Sequence, residues 1–160
     1  MSMNCVVFVV TKQQVGRLRE FDDEEEFFQE LENAPYVEVN KQWHGLHYLL
    51  TGTAADVSAP EGFLVNGGEE IGPDGGYGAA RLFSPREVDD IHSAIVDVSE
   101  EELWSRFDPD QMNAHQIYPS LDWHEEPELT QKIYLATFRE LKASVDQASR
   151  CGQYLIVTLG

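Results

Sequence analysis

Apolar residues along this chain fall into unbroken runs and into stripes of period near 3.6, which predicts strands interleaved with helices. Cys5–Val10 is a continuous, β-branched apolar run, the pattern of a strand covered on both faces. Thr11 followed by Gln14 forms a capping box, predicting a short helix that carries Val15 and Leu18 inward. Phe27, Phe28 and Leu31 give the acidic segment Asp22–Glu32 an apolar stripe, and Pro35 ends it. Val37–Val39 reads as a short extended piece. Asn40 is then expected to cap a helix over Lys41–Thr51 that Gly52 closes. That helix sets Trp43, Leu46, His47 and Leu50 at the i, i+3, i+4, i+7 spacing of a buried stripe.

Gly52–Gly62 reads as a loop, Phe63–Val65 as a strand leading into Gly67–Gly72, and Pro73–Gly78 as irregular. Arg81–Phe83 is a second short strand. Ser84-Pro85-Arg86-Glu87 supplies a cap, a proline and a third-position acid, so a helix follows with Val88, Ile91, His92 and Ile95 on one face. Ser99 with Glu102 opens another, burying Leu103, Trp104 and Phe107, and Asp108-Pro109 reads as its stop. After a turn-rich stretch from Gln116 to Pro127, the longest helix is expected over Glu128–Arg150. Leu129, Ile133, Phe138, Leu141, Val145 and Ala148 would face inward. Gly152 ends that helix, and Gln153–Leu159 is a strand. Its apolar run Tyr154–Val157 would be an aggregation hazard on an open edge, so it is expected inside the sheet. Without repeats or a linker, residues 1–160 read as one α/β or α+β domain.

Charge changes the picture more than size does. The 160 residues hold 11 Lys and Arg against 29 Asp and Glu, a net charge of −18. On the surface expected for this mass, that is one uncompensated negative charge per roughly 450 Å². Such a surface repels phosphate backbones and anionic bilayers, so neither a nucleic acid nor a membrane is expected as partner. The longest apolar run is far short of a spanning helix, and the N-terminus lacks the features of a secretory signal. Cys5 and Cys151 sit in no metal or redox spacing and read as reduced and buried, which points to the cytoplasm.

The segment Trp43-His44-Gly45-Leu46-His47-Tyr48-Leu49-Leu50-Thr51-Gly52 resembles the YfbM-like family of small bacterial proteins. Gly67-Gly68-Glu69-Glu70-Ile71-Gly72, Tyr77-Gly78-Ala79-Ala80-Arg81, and Phe107-Asp108-Pro109 with Ile117-Tyr118-Pro119 fit the same family in order and spacing. Ala79 stands where that pattern has proline, which bears only on the loop's geometry. The resemblance spans essentially the whole chain. It implies a single three-layer α/β/α domain, here expected with a mixed sheet. It implies no activity, because the family is a domain of unknown function with no catalytic or binding residues to carry over.

Polar candidates concentrate in those same segments. His44 and His47, three apart on a helix, could reach one point, and Glu69, Glu70 or Asp56 could add a carboxylate to make a divalent-metal set. The competing reading makes His47 a core histidine bonded to a backbone carbonyl and His44 a helix-surface residue. His92 poses the same choice. Arg81 is the only cation between Lys41 and Arg86, in a stretch with five carboxylates, and is expected to pair with Glu69 or Glu70. No nucleophile motif is present, and the glycines lack the lysine of a phosphate-binding loop. Acids cluster at Glu20–Glu32, Asp97–Asp110 and Asp122–Glu128.

Two readings from different classes stand. The first is a non-catalytic acidic binding module that engages a basic protein, in the manner of inhibitors and immunity proteins of basic nucleases. The second is a small-ligand-binding domain or enzyme with a pocket of Trp43, His44, His47, Glu69, Glu70 and Arg81, metal-dependent if the histidines ligate. Nothing in the sequence names a cofactor. The second reading requires those residues to converge in a cleft.

Overall fold

A computed structural model describes residues 2–160. Five strands form one sheet in the order β2-β1-β5-β4-β3. They are β1 (Cys5–Val10), β2 (Tyr36–Asn40), β3 (Glu69–Ile71), β4 (Ala80–Phe83) and β5 (Tyr154–Leu159). All four pairings are antiparallel, so the expectation of a mixed sheet is corrected while the α/β content holds. The link from β2 to β3 carries the chain from one edge of the sheet to the other, and β5 enters last, between β1 and β4. It is the central strand, as its uninterrupted apolar run requires.

Period-two alternation in the inner strands divides the core between the two faces of the sheet. Cys5, Val7, Val9, Leu155 and Val157 belong to one cluster, and Phe8, Val10 and Ile156 to the other. On the second side lie α1 (Lys12–Leu18) and α2 (Glu24–Leu31), which contribute Val15, Leu18, Phe27 and Leu31. The first, larger cluster takes its helical residues from α3 (Trp43–Thr51), α4 (Pro85–Ile95), α5 (Glu100–Ser105), α6 (Pro109–Ala114) and α7 (Pro127–Arg150). Fully burying one Leu, Ile or Phe contributes about 1.5–3 kcal/mol. Among the described residues no helix is long and apolar enough to cross a membrane.

Capping follows the sequence closely. Thr11 and Ser84 form complete capping boxes with Gln14 and Glu87, and Ser99 accepts the Glu102 backbone N–H. Four expectations are corrected. Asn40 does not cap α3: it ends β2 at φ 53°, and Gln42 precedes the helix without a side-chain capping bond. Phe63–Val65 is not a strand. Pro60–Gly62 forms a 3-10 turn, Val65 N–H donates to the Gly62 carbonyl, and Phe63 and Leu64 are buried by packing without pairing. Asp108-Pro109 starts α6 as well as ending what precedes it: Asp108 accepts the Gln111 N–H and Pro109 takes the first helical position, repeating the logic of Ser84-Pro85. Finally, Cys151 is exposed, whereas Cys5 is buried and its thiol pushed up to about 12 by desolvation; both are free.

On α7 the buried series is Tyr134, Phe138, Leu141, Val145 and Ala148. Leu129 and Ile133, expected inward, are 48% and 41% exposed. Each residue turns the helix by about 100°, so Ile133 lies a quarter turn from Tyr134, and Leu129 is further off the same line. Tyr134 takes the inward position at this end.

Candidate functional site

α3 holds the first group of expected site residues, and backbone contacts account for each of them. The Trp43 indole N–H donates to the Met3 carbonyl at 3.1 Å, and its ring stacks on His44 and on Tyr118, with centroids 5.1 and 5.5 Å away. The Met3 N–H in turn donates to the Tyr118 hydroxyl at 2.8 Å.

His44 is engaged at both nitrogens. Its Nδ1 accepts the Tyr118 backbone N–H at 2.9 Å, which places the ring proton on Nε2, 3.1 Å from the Ala54 carbonyl. No lone pair remains for a metal. His47 is fully buried, with Nε2 2.8 Å from the Ala55 carbonyl. Its Nδ1 is the one buried side-chain polar atom without a partner among the described residues. Desolvation lowers the His47 pKa against the opposing pull of Ala55, so the neutral ring is favoured. The two rings stack loosely, 6.4 Å apart, and hold successive carbonyls of the loop after α3. They staple that loop to the helix. No group of three or more His, Cys, Asp or Glu among the described residues is arranged to hold a metal.

Arg81 does not pair with either glutamate. Its guanidinium donates to the Leu64 carbonyl at 2.8 Å and the Gly67 carbonyl at 3.0 Å, and lies over the Phe83 ring at 5.6 Å. Desolvation, the largest effect, lowers its pKa. Strand geometry explains the mismatch for Glu69. Glu69 sits opposite Leu82 in the β3–β4 register and shares the face of Ile71, toward the α1 side of the sheet. There it pairs with Arg19 through two bonds of 2.6 and 3.1 Å, which lowers the pKa of its carboxyl. Glu70 sits opposite Arg81 but is exposed and forms no ion pair among the described residues. The preceding glycines allow close approach: a Cβ on Gly68, at φ 79°, would lie 2.8 Å from the Leu82 carbonyl oxygen.

Of the six candidates, Trp43 and Arg81 alone line a common cleft, about 280 Å³ in volume, with Tyr77 and Thr158. His44, His47, Glu69 and Glu70 do not line it. His92 also finds a local partner, placing Nε2 2.9 Å from Asp146, whose other oxygen is 3.1 Å from Arg150 Nε.

Sequence reasoning missed a different feature. Leu121, Leu129 and Ile133 are three of the four exposed large apolar side chains among the described residues, and all three line one cleft of about 250 Å³. The available signal was a break in periodicity, since Phe138 follows Ile133 by five residues and Tyr134 by four. Elsewhere the acids stand largely uncompensated. Glu30, Glu69, Glu100, Glu102, Asp110 and Asp146 are the carboxylates with a cationic or histidine side chain within 4 Å among the described residues.

No curated protein matches this chain in sequence. The crystal structure of YfbM from Escherichia coli, a protein of unknown function, superposes with a TM-score of 0.75 at 20% identity. The match covers 98% of this chain and 99% of that one, and shows a shared fold. A family model described as a domain of unknown function, DUF1877, matches residues 1–158, and the chain belongs to that family.

Proposed function

We propose that the protein is a non-catalytic binding module whose acidic surface engages a basic protein partner. The observation that carries this reading is the run from Asp22 to Glu26 with Glu32, on and beside α2. None of its carboxylates has a cationic side chain within 4 Å among the described residues. Self-repulsion within such a surface is relieved when a cationic surface covers it, and the field accelerates encounter. The same field disfavours nucleic acids and anionic membranes as partners. Two free thiols, one of them exposed, support a reducing compartment such as the cytoplasm.

Affinity capture on the immobilised protein at low and moderate salt, followed by calorimetry with the purified captured protein, tests the reading. A basic protein whose affinity falls steeply with salt is the expected result. Capture only of neutral or acidic proteins, or salt-independent binding, would overturn it.

A second reading rests on the Trp43–Arg81 cleft, where a guanidinium without an ion-pair partner could take the carboxylate or phosphate of a small ligand. Thermal-shift screening of small carboxylates and phosphates decides it. Stabilisation that survives Arg81→Lys would count against a bidentate site.

A further inference from the structure

We infer that the cleft bounded by Leu121, Leu129 and Ile133 is where the partner docks, through an amphipathic cationic helix. This inference rests on the reading of the protein as an acidic binding module and names both the place and the chemistry of its partner.

The apolar side comes first. Leu121 is 63% exposed, Leu129 48% and Ile133 41%, and Tyr36 is the only other large apolar side chain so exposed among the described residues. Isolated apolar residues on a surface need no explanation; three around one concavity do. Beneath them lie Trp123 and Tyr134, 4% and 5% exposed, packed edge to face at 5.7 Å. Trp123 is further held by its backbone N–H, which donates to the Asn113 side chain at 2.9 Å, and by its indole N–H to the Ile117 carbonyl. The floor is therefore part of the core and fixed before any partner arrives. Leu129 and Ile133 stand one turn apart on α7 and form one i±4 ridge, which the groove of another helix can receive.

The rim supplies the sign of the charge. Asp122, Glu125 and Glu126 line the cleft, with Lys41 as the one cation among its lining residues. Asp122 is held ionised by the His124 backbone N–H and the Asn113 side chain, which lower its pKa. An occupant therefore needs an apolar stripe flanked by lysine or arginine, the pattern of an amphipathic basic helix laid in a groove. A second copy of this chain would bring another −18 and the same acidic rim, so like charges would face each other across the contact. Charge complementarity selects the basic partner.

The test uses a synthetic helical peptide with leucines at i, i+3, i+4 and i+7 and lysines between them. A control peptide of equal charge replaces the leucines by serine. The full chain is titrated with each at low salt, and methyl resonances and Trp123 fluorescence are followed. The leucine peptide is expected to shift the methyls of Leu121, Leu129 and Ile133 and to bind at least tenfold more tightly than the control. Leu129→Ser with Ile133→Ser should lower that affinity at least tenfold while the melting temperature stays close to wild type, because both side chains are already half in water. Glu24→Lys with Glu25→Lys, on α2, should weaken both peptides alike and leave the ratio of their affinities unchanged within about threefold.

If both peptides bind equally and the shifts map to α2, the docking site is wrong and the acidic-module reading stands. If neither peptide binds even at low salt, both fail. If sedimentation finds a dimer that Leu129→Ser with Ile133→Ser dissolves, the occupant is a second copy and the inference is overturned.

Discussion

Replacing Arg81 by Ala removes a cation that holds two carbonyls in a loop without pairing with any carboxylate. Its bonds to Leu64 and Gly67 span the segment between the 3-10 turn and β3, so they fix where that segment meets β4. A hydrogen bond from a charged donor contributes about 1.5–3 kcal/mol. The Gly67 bond lies at the exposed margin and counts at the low end, since water can replace it. Contact with the Phe83 ring adds about 0.5–1 kcal/mol. The combined loss is about 3.5–5.5 kcal/mol, or a fall in melting temperature of roughly 7–22 °C for a chain this long. Arg81→Lys should recover part of it, because an ammonium can reach one carbonyl but lacks the planar fork that spans two. The pair Arg19–Glu69 is solvent-exposed and screened, so Arg19→Ala should cost far less. Denaturant melts at several pH values separate the two possible anchors. Were a glutamate the partner, the cost of Arg81→Ala would shrink as pH falls through the carboxylate range. With carbonyl acceptors, the cost stays constant as far down as the protein remains folded. A cost no larger than that of Arg19→Ala, or one that vanishes on acidification, refutes the reasoning.

The other expectations are simpler. Added sodium chloride should raise the melting temperature near neutral pH by screening repulsion at −18, and indifference to salt would contradict this. Deleting residues 153–160 removes the central strand and should abolish soluble folding; a soluble, cooperatively melting truncation would show that β5 is dispensable. His47, whose pKa burial lowers from 6.5, binds fewer protons folded than unfolded once pH drops below that value. Stability should therefore decline as pH falls from about 6.5 toward 5, and His47→Gln should flatten that part of the profile; an unchanged slope assigns it to other groups.

How much was legible depended on whether a signal was local. Caps at Thr11, Ser84 and Ser99 were readable because the acceptor and the donor lie within three residues of each other. The central place of β5 followed from a run too apolar for an edge. Strand direction was not readable, since it depends on how each connection returns to the sheet. The site failed for a related reason. Neighbouring residues in a strand face opposite sides, so Glu69 and Glu70 could never serve one arginine, and a one-residue uncertainty in the position of β3 exchanges their roles. The Asp108-Pro109 pair was read as a stop because the helix before it was expected, although the same residues satisfy the start rule.

The segments that carry the family resemblance behave as joints of the fold. His44 and His47 hold the 54–55 carbonyls, Arg81 holds those of residues 64 and 67, and Gly68 lets β4 pass at contact distance. A residue that ties a side chain to a backbone carbonyl across a loop has a geometric reason to be there, so its presence in a motif does not by itself point to chemistry. The positions where local rules are broken carry the opposite message. Leu129 and Ile133 could have been polar at no cost to the core, since Tyr134 occupies the inward position beside them. Their apolar character is unexplained by folding, and it lies beside Asp122, Glu125 and Glu126 in a protein whose charge already favours a cationic partner. On the docking reading proposed above, those side chains are kept for the partner that the acidic rim would meet.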